Sequence, residues 1–95
     1  MVNVTERAKE VLLRRKQSAN IHDPTVGLRL APASSGHLRL VADRTKAGDQ
    51  IVKHRDSTVL LVSAELSEFV LAGKTVDCRE REDGRRELVL RMAAR

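Results

Sequence analysis

Thr5 opens the first patterned stretch of the chain. Ala8, Val11 and Leu12 follow at helical spacing, Glu6 stands in the first turn, and Arg14, Arg15 and Lys16 stand in the last, where cations complement the helix dipole. A threonine hydroxyl accepts from a backbone N–H one turn further on, so the spacing predicts a helix over residues 6–17 capped by Thr5. Residues 20–25 read as a connector, because Pro24 disfavours helical backbone at Asp23.

The period then changes to two. Val26, Leu28 and Leu30 alternate with Gly27 and Arg29, and Leu38 and Leu40 form a second alternating run beyond the loop-like segment 32–36. Ala47-Gly48-Asp49 marks a turn. Ile51-Val52 and Val59-Leu60-Leu61-Val62 read as strands joined by the polar residues 54–57. The unbroken apolar run at 59–62 predicts a strand covered on both faces, hence a central one. Ser63 can cap a second helix over 64–72, with Leu66, Phe69 and Val70 as its core-facing stripe, Glu65 and Glu68 outside, and Gly73 closing it. Val76 and Cys78 share a strand face, Asp83-Gly84 signals a two-residue hairpin, and Leu88, Leu90 and Met92 return along one face. The expected fold class is α+β, mostly β: a compact, largely antiparallel sheet domain with two flanking helices.

Composition narrows the picture. A chain of 95 residues is one domain, here with its core over about residues 4–92. A single Phe and no Trp or Tyr leave that core aliphatic. No apolar run approaches the roughly 18 residues of a membrane span, and the first residues lack a basic stretch followed by a long apolar one, so a cytoplasmic protein is expected. One cysteine excludes an intrachain disulfide and an all-cysteine metal centre within one chain. The net charge of +5 lies wholly in residues 1–48, which carry nine Lys/Arg against four acids; residues 49–95 carry nine of each. A basic half attracts acidic partners or nucleic acid, and Arg14, Arg15 and Lys16 are its candidate contact surface, with Arg85-Arg86 a second cluster. Single-strand binding relies on aromatic platforms, and Phe69 is assigned to the core.

Four segments carry a family resemblance: Val4-Thr5-Glu6-Arg7-Ala8, Val26-Gly27-Leu28-Arg29-Leu30, Gly48-Asp49-Gln50-Ile51-Val52 followed by Val59-Leu60-Leu61-Val62, and Leu71-Ala72-Gly73-Lys74-Thr75-Val76-Asp77. In this order and spacing the chain resembles the A-type iron–sulfur carriers, also called HesB-like or IscA-like. The resemblance implies a compact β-rich domain with flanking helices that binds iron or a [2Fe–2S] or [4Fe–4S] cluster and passes it to apo-proteins. It also implies three cysteine ligands, one in a Gly-Cys-Ser-Gly loop and two in a Cys-Gly-Cys tail, often shared across a dimer.

The sequence departs from that pattern at each ligand. The loop reads Ala33-Ser34-Ser35-Gly36, with Ser34 where the first cysteine is expected, and the chain ends Arg91-Met92-Ala93-Ala94-Arg95. Iron–sulfide cores take soft thiolate donors, and a serine hydroxyl is a hard, weakly acidic substitute. Ser34, Ser35 and Gly36 therefore form a degenerate ligand loop, and no iron–sulfur cluster or other cofactor is expected. Cys78, at a position that is not a family ligand, and His37 remain metal candidates only through a dimer; otherwise Cys78 reads as a small buried apolar residue. Ser34, Ser35 and His37 lack a carboxylate at fixed spacing to orient the histidine, which argues against an enzyme. Asp43, Asp49 and Asp56 lie on separate turns and do not make a metal loop. The expectation is a non-enzymatic accessory or interaction protein, monomeric or a homodimer, with a protein partner, no membrane and an association with iron–sulfur cluster assembly. The alternatives are a basic nucleic-acid-binding module and a dimeric metal site using Cys78.

Overall fold

A computed structural model of the chain describes residues 1–32 and 38–91. The expectations placed on Ser34, Ser35, Gly36, His37 and Met92 lie outside the described residues. Helix α1 (Glu6–Ser18) forms where the spacing predicts it. Thr5 is extended (φ −72°, ψ 158°) and its hydroxyl accepts from the Ala8 N–H at 3.2 Å. The other end closes in a Schellman turn. Asn20 takes a left-handed φ of 59°, its N–H donates to the Gln17 carbonyl at 3.0 Å, and the Ile21 N–H donates to the Lys16 carbonyl at 2.8 Å.

The strands build two sheets. In one, the order is β3 (Leu38–Arg44), β2 (Val26–Pro32), β5 (Ser57–Val62), β4 (Gln50–His54). In the other it is β1 (Asn3–Val4), β6 (Thr75–Glu80), β7 (Arg86–Arg91). Helix α1 touches β2, β4 and β5 of the first sheet and β6 and β7 of the second, so it bridges the two. β5 is central, as its unbroken apolar run predicts, and Val59, Leu60, Leu61 and Val62 are fully buried. Each such side chain contributes about 1.5–3 kcal/mol through burial, so this one strand supplies much of the thin core.

Gly27 lets β2 and β5 approach. A Cβ there would lie 2.7 Å from Thr58 Cγ2 and 3.1 Å from Leu61 Cγ, closer than packed carbons tolerate. β2 and β5 run parallel, with Leu28 opposite Leu60, and β1 and β6 are also parallel. The β2–β3, β4–β5 and β6–β7 pairs are antiparallel as expected. The parallel pairs join strands distant in sequence, which local turn signals do not register.

Two local expectations are corrected. The segment after Ser63 winds into a π-helix over Leu66–Val70, the Leu71 N–H donating to the Leu66 carbonyl at 2.7 Å. The wider turn changes which residues share a face: Ser67 and Leu71 are buried, while Phe69 is 76% and Val70 55% exposed. The α-helical stripe Leu66-Phe69-Val70 therefore does not exist. The β6–β7 hairpin is closed by residues 81–85 rather than by Asp83-Gly84 alone. The Arg81 N–H meets the Arg85 carbonyl, and Gly84 takes the left-handed φ of 81° that fits a longer, bulged turn.

Candidate functional site

The segments that carry the family resemblance meet one another in hydrogen-bonded locks. Thr5 both caps α1 and donates its hydroxyl proton to Asp77 Oδ1 at 2.7 Å. The Arg7 guanidinium reaches Asp77 Oδ2 at 3.1 Å, Arg91 Nε lies 3.4 Å from it, and the Cys78 N–H donates to Oδ1 at 2.8 Å. These donors, Thr5 foremost, hold the Asp77 carboxyl below the ordinary carboxylate range.

Across the molecule Arg29 forks onto Asp49, with Nη1–Oδ1 at 2.9 Å and Nη2–Oδ2 at 2.7 Å, while its Nε lies 2.6 Å from Asp43 Oδ2. The paired carboxylates raise the Arg29 pKa, and Arg29 in turn lowers Asp49 and brings Asp43 to about 2. Gln50, one residue on, holds both the N–H and the carbonyl of Val2, so the start of the chain is pinned beside β4. Asp43 and Asp49 thus come together, but around a guanidinium. Asp56 sits apart in the β4–β5 turn. These contacts fix the architecture and leave no reactive group exposed at their centres.

Cys78 lies on β6 opposite Leu88 and is 5% exposed. A nucleophilic or metal-binding thiol needs an accessible, electropositive setting. Arg79 and Arg81, which follow it in sequence, are engaged with Glu87. Whether Cys78 approaches His37 falls outside the described residues. Among the described residues, no three His, Cys, Asp or Glu side chains stand together so as to hold a metal ion. His54 faces α1, its Nε2 2.9 Å from Glu10 Oε1, and this hydrogen bond is the main cause of a lowered Glu10 pKa.

The basic surface is corrected as well. Arg14 and Arg15 are exposed, but Lys16 is 1% exposed and points inward. Its ammonium donates to Ser57 Oγ and the Thr58 carbonyl, both at 2.8 Å, and to the Asp23 carbonyl at 3.3 Å. Burial lowers its pKa, partly offset by the charge of Asp23. Three consecutive basic residues read as one surface patch, yet a helix turns about a quarter circle per residue, and the third of them falls on the Ala8-Leu12 face. In place of Lys16 the fold brings up Arg86, which lines a groove with Arg14 and Arg15 between α1 and the β6–β7 hairpin. Sequence reasoning singled out both arginine clusters without placing them together.

Donor chemistry decides what the chain can hold. A cluster needs several thiolates. The chain has one cysteine, and it is enclosed. One thiol falls short of the several that hold a cluster within a single chain. No helix among the described residues is long and apolar enough to cross a membrane.

No protein-family model matches the sequence, and no curated protein matches it. Solved structures do. The chain is similar to IscA, solved with a [2Fe–2S] cluster, at 22% identity and a TM-score of 0.58, over 97% of this chain and 85% of that one. It is similar to Escherichia coli SufA, involved in biosynthesis of iron–sulfur clusters, at 21% identity and a TM-score of 0.60, over 96% and 84%. The likeness read from the four sequence segments thus extends to the architecture as a whole, and the chain has the fold seen in IscA and SufA.

Proposed function

We propose that the chain is a non-enzymatic accessory protein of iron–sulfur cluster assembly that engages a protein partner through its surface and does not itself ligate a cluster. The observation that carries this reading is the enclosure of its one thiol: Cys78 is packed in β6 at 5% exposure in a fold otherwise like that of IscA and SufA. The association with cluster assembly comes from that likeness, and the departure from ligation comes from the donor set.

Anaerobic reconstitution with ferrous iron and sulfide, followed by elemental analysis and visible absorption, tests it. The expected result is no stoichiometric iron or sulfide in the protein, unchanged in Cys78→Ser. Iron and sulfide at a fixed ratio to polypeptide would overturn it. If that content vanished in Cys78→Ser, the metal would belong to a dimeric site built on the cysteine.

A further inference from the structure

Most of the hairpin's arginines are satisfied within the hairpin itself: Arg79 and Arg81 engage Glu87, and Arg85 engages Asp83. Arg14, Arg15 and Arg86 differ. All three are exposed, they line one shallow, open groove, and among the described residues no carboxylate lies within ion-pairing distance of them. The lining also holds the apolar side chains of Val11, which is buried, and Ala19, which is exposed, and Glu80 is the one acid in the described lining. The negative end of the α1 dipole accounts for a cation at Arg14 or Arg15. It does not account for Arg86, which comes from β7, where it stands opposite Glu80 without an ion pair to it.

The groove is also held in place. The Schellman turn closes α1 just beyond Arg15, and the inward anchor of Lys16 fixes the helix so that its two preceding arginines face out. Guanidinium groups held apart on rigid elements suit the forked geometry of carboxylates.

We propose that this groove binds an acidic segment of a protein partner, with the partner's carboxylates on Arg14, Arg15 and Arg86 and a small apolar side chain on Val11 and Ala19. This rests on reading the chain as an interaction protein and names the chemistry of what it binds. A peptide fits better than nucleic acid for two reasons. The apolar side chains of Val11 and Ala19 in the lining have no use in a phosphate track. The one aromatic side chain, Phe69, is exposed on the π-helical segment beside the exposed acids Glu65 and Glu68, which repel phosphate, and it is not part of the groove lining.

The test is fluorescence anisotropy with a short labelled peptide alternating Glu and Leu, its Gln-for-Glu counterpart, a labelled DNA duplex and labelled oligouridine. The acidic peptide is expected to bind in a salt-sensitive way and the Gln peptide not to bind. Arg86→Ala and Arg15→Ala are each expected to weaken binding about tenfold, the loss of one charge-assisted contact, with unchanged thermal midpoints. Equal binding of both peptides, or no effect of Arg86→Ala in a folded variant, would overturn the proposal. Tighter binding of either nucleic acid than of the acidic peptide would also overturn it, in favour of a phosphate-binding surface. Iron uptake on reconstitution speaks to the proposed function alone, since the groove shares no residue with Cys78.

Discussion

Arg29 and Lys16 both carry a charge into the folded chain, and their surroundings differ in kind. Arg29 meets two carboxylates, Asp49 through a two-pronged contact and Asp43 at 2.6 Å, and its pKa rises. Lys16 meets only neutral oxygens, the hydroxyl of Ser57 and the carbonyls of Thr58 and Asp23, and its pKa falls because burial outweighs the more distant charge of Asp23. One cation is neutralised where it sits; the other is only solvated by the protein. The first ties β2 to β3 and to the turn before β4. The second ties the end of α1 to the β4–β5 hairpin and to the connector before β2. Charge-matched burial makes removal of either partner costly, whereas neutral solvation makes the cation replaceable by an apolar side chain of like size.

The largest effect is therefore expected at Arg29. Arg29→Met leaves Asp49, whose side chain is 3% exposed, without its guanidinium, and should cost about 3–5 kcal/mol in urea unfolding. A loss below about 1 kcal/mol would mean that water serves Asp49 as well as Arg29 does. Acid reaches the same contacts. Asp43 and Asp49 titrate below their ordinary values, so the unfolded chain binds protons that the folded one refuses. Their contribution is complete above about pH 4 and drains away as pH falls toward 2, the value for Asp43. In Arg29→Met this part of the acid limb should flatten. An acid limb identical to that of the wild type would remove these carboxylates as its cause.

Lys16→Met should cost less, about 1–2 kcal/mol, because it keeps the volume and strands three oxygens that carry no full charge. A cost equal to that of Arg29→Met would erase the contrast. Its pH dependence has the same sign but falls in the alkaline window instead of the acid one. With the folded pKa lowered, the penalty for burying the ammonium is complete below that pKa. It is relieved as pH rises toward the ordinary lysine value of about 10.4. The difference in urea midpoint between wild type and Lys16→Met should widen as the solution is made alkaline.

The same contrast explains what could be read before the fold was known. α1, its Thr5 cap and the central β5 follow from periodicity and local chemistry, which act within a few residues. Arg29 and Asp49 were visible as parts of matching segments, but their pairing depends on β2 lying near the β3–β4 turn. Lys16 looks like part of a surface because it ends a run of three basic residues, although the spacing of Ala8 and Leu12 already places it, four residues on, on the inner face. Phe69 was misread because a stripe at α-helical spacing says nothing of a π-turn, whose register is set by burying Ser67 and Leu71 instead. The Arg14-Arg15-Arg86 groove was out of reach for a plainer reason. It joins residues some seventy positions apart, and only the bridging of both sheets by α1 brings them together.

The smallest expected effect tests whether the Lys16 contact was reached at the expense of the neighbouring turn. Arg55 and Asp56 have φ of 51° and 63°, the two left-handed positions of a tight hairpin between His54 and Ser57, with no glycine at either. Arg55 holds Glu10 at 2.8 Å, so Asp56 is the cleaner site to relax. Glycine removes the Cβ conflict of the left-handed backbone but gives the unfolded chain more freedom, so Asp56→Gly should gain only about 0.5 kcal/mol. The informative measurement is the double variant with Lys16→Met. Ser57 takes its position from strand pairing with His54, so the ammonium need not pull the turn into shape, and the two changes should add to within about 0.5 kcal/mol. A larger gain from Asp56→Gly in the wild type than beside Lys16→Met would show instead that the turn is held under strain by the lysine. Lys16 would then be an organiser of the hairpin rather than a passenger in it.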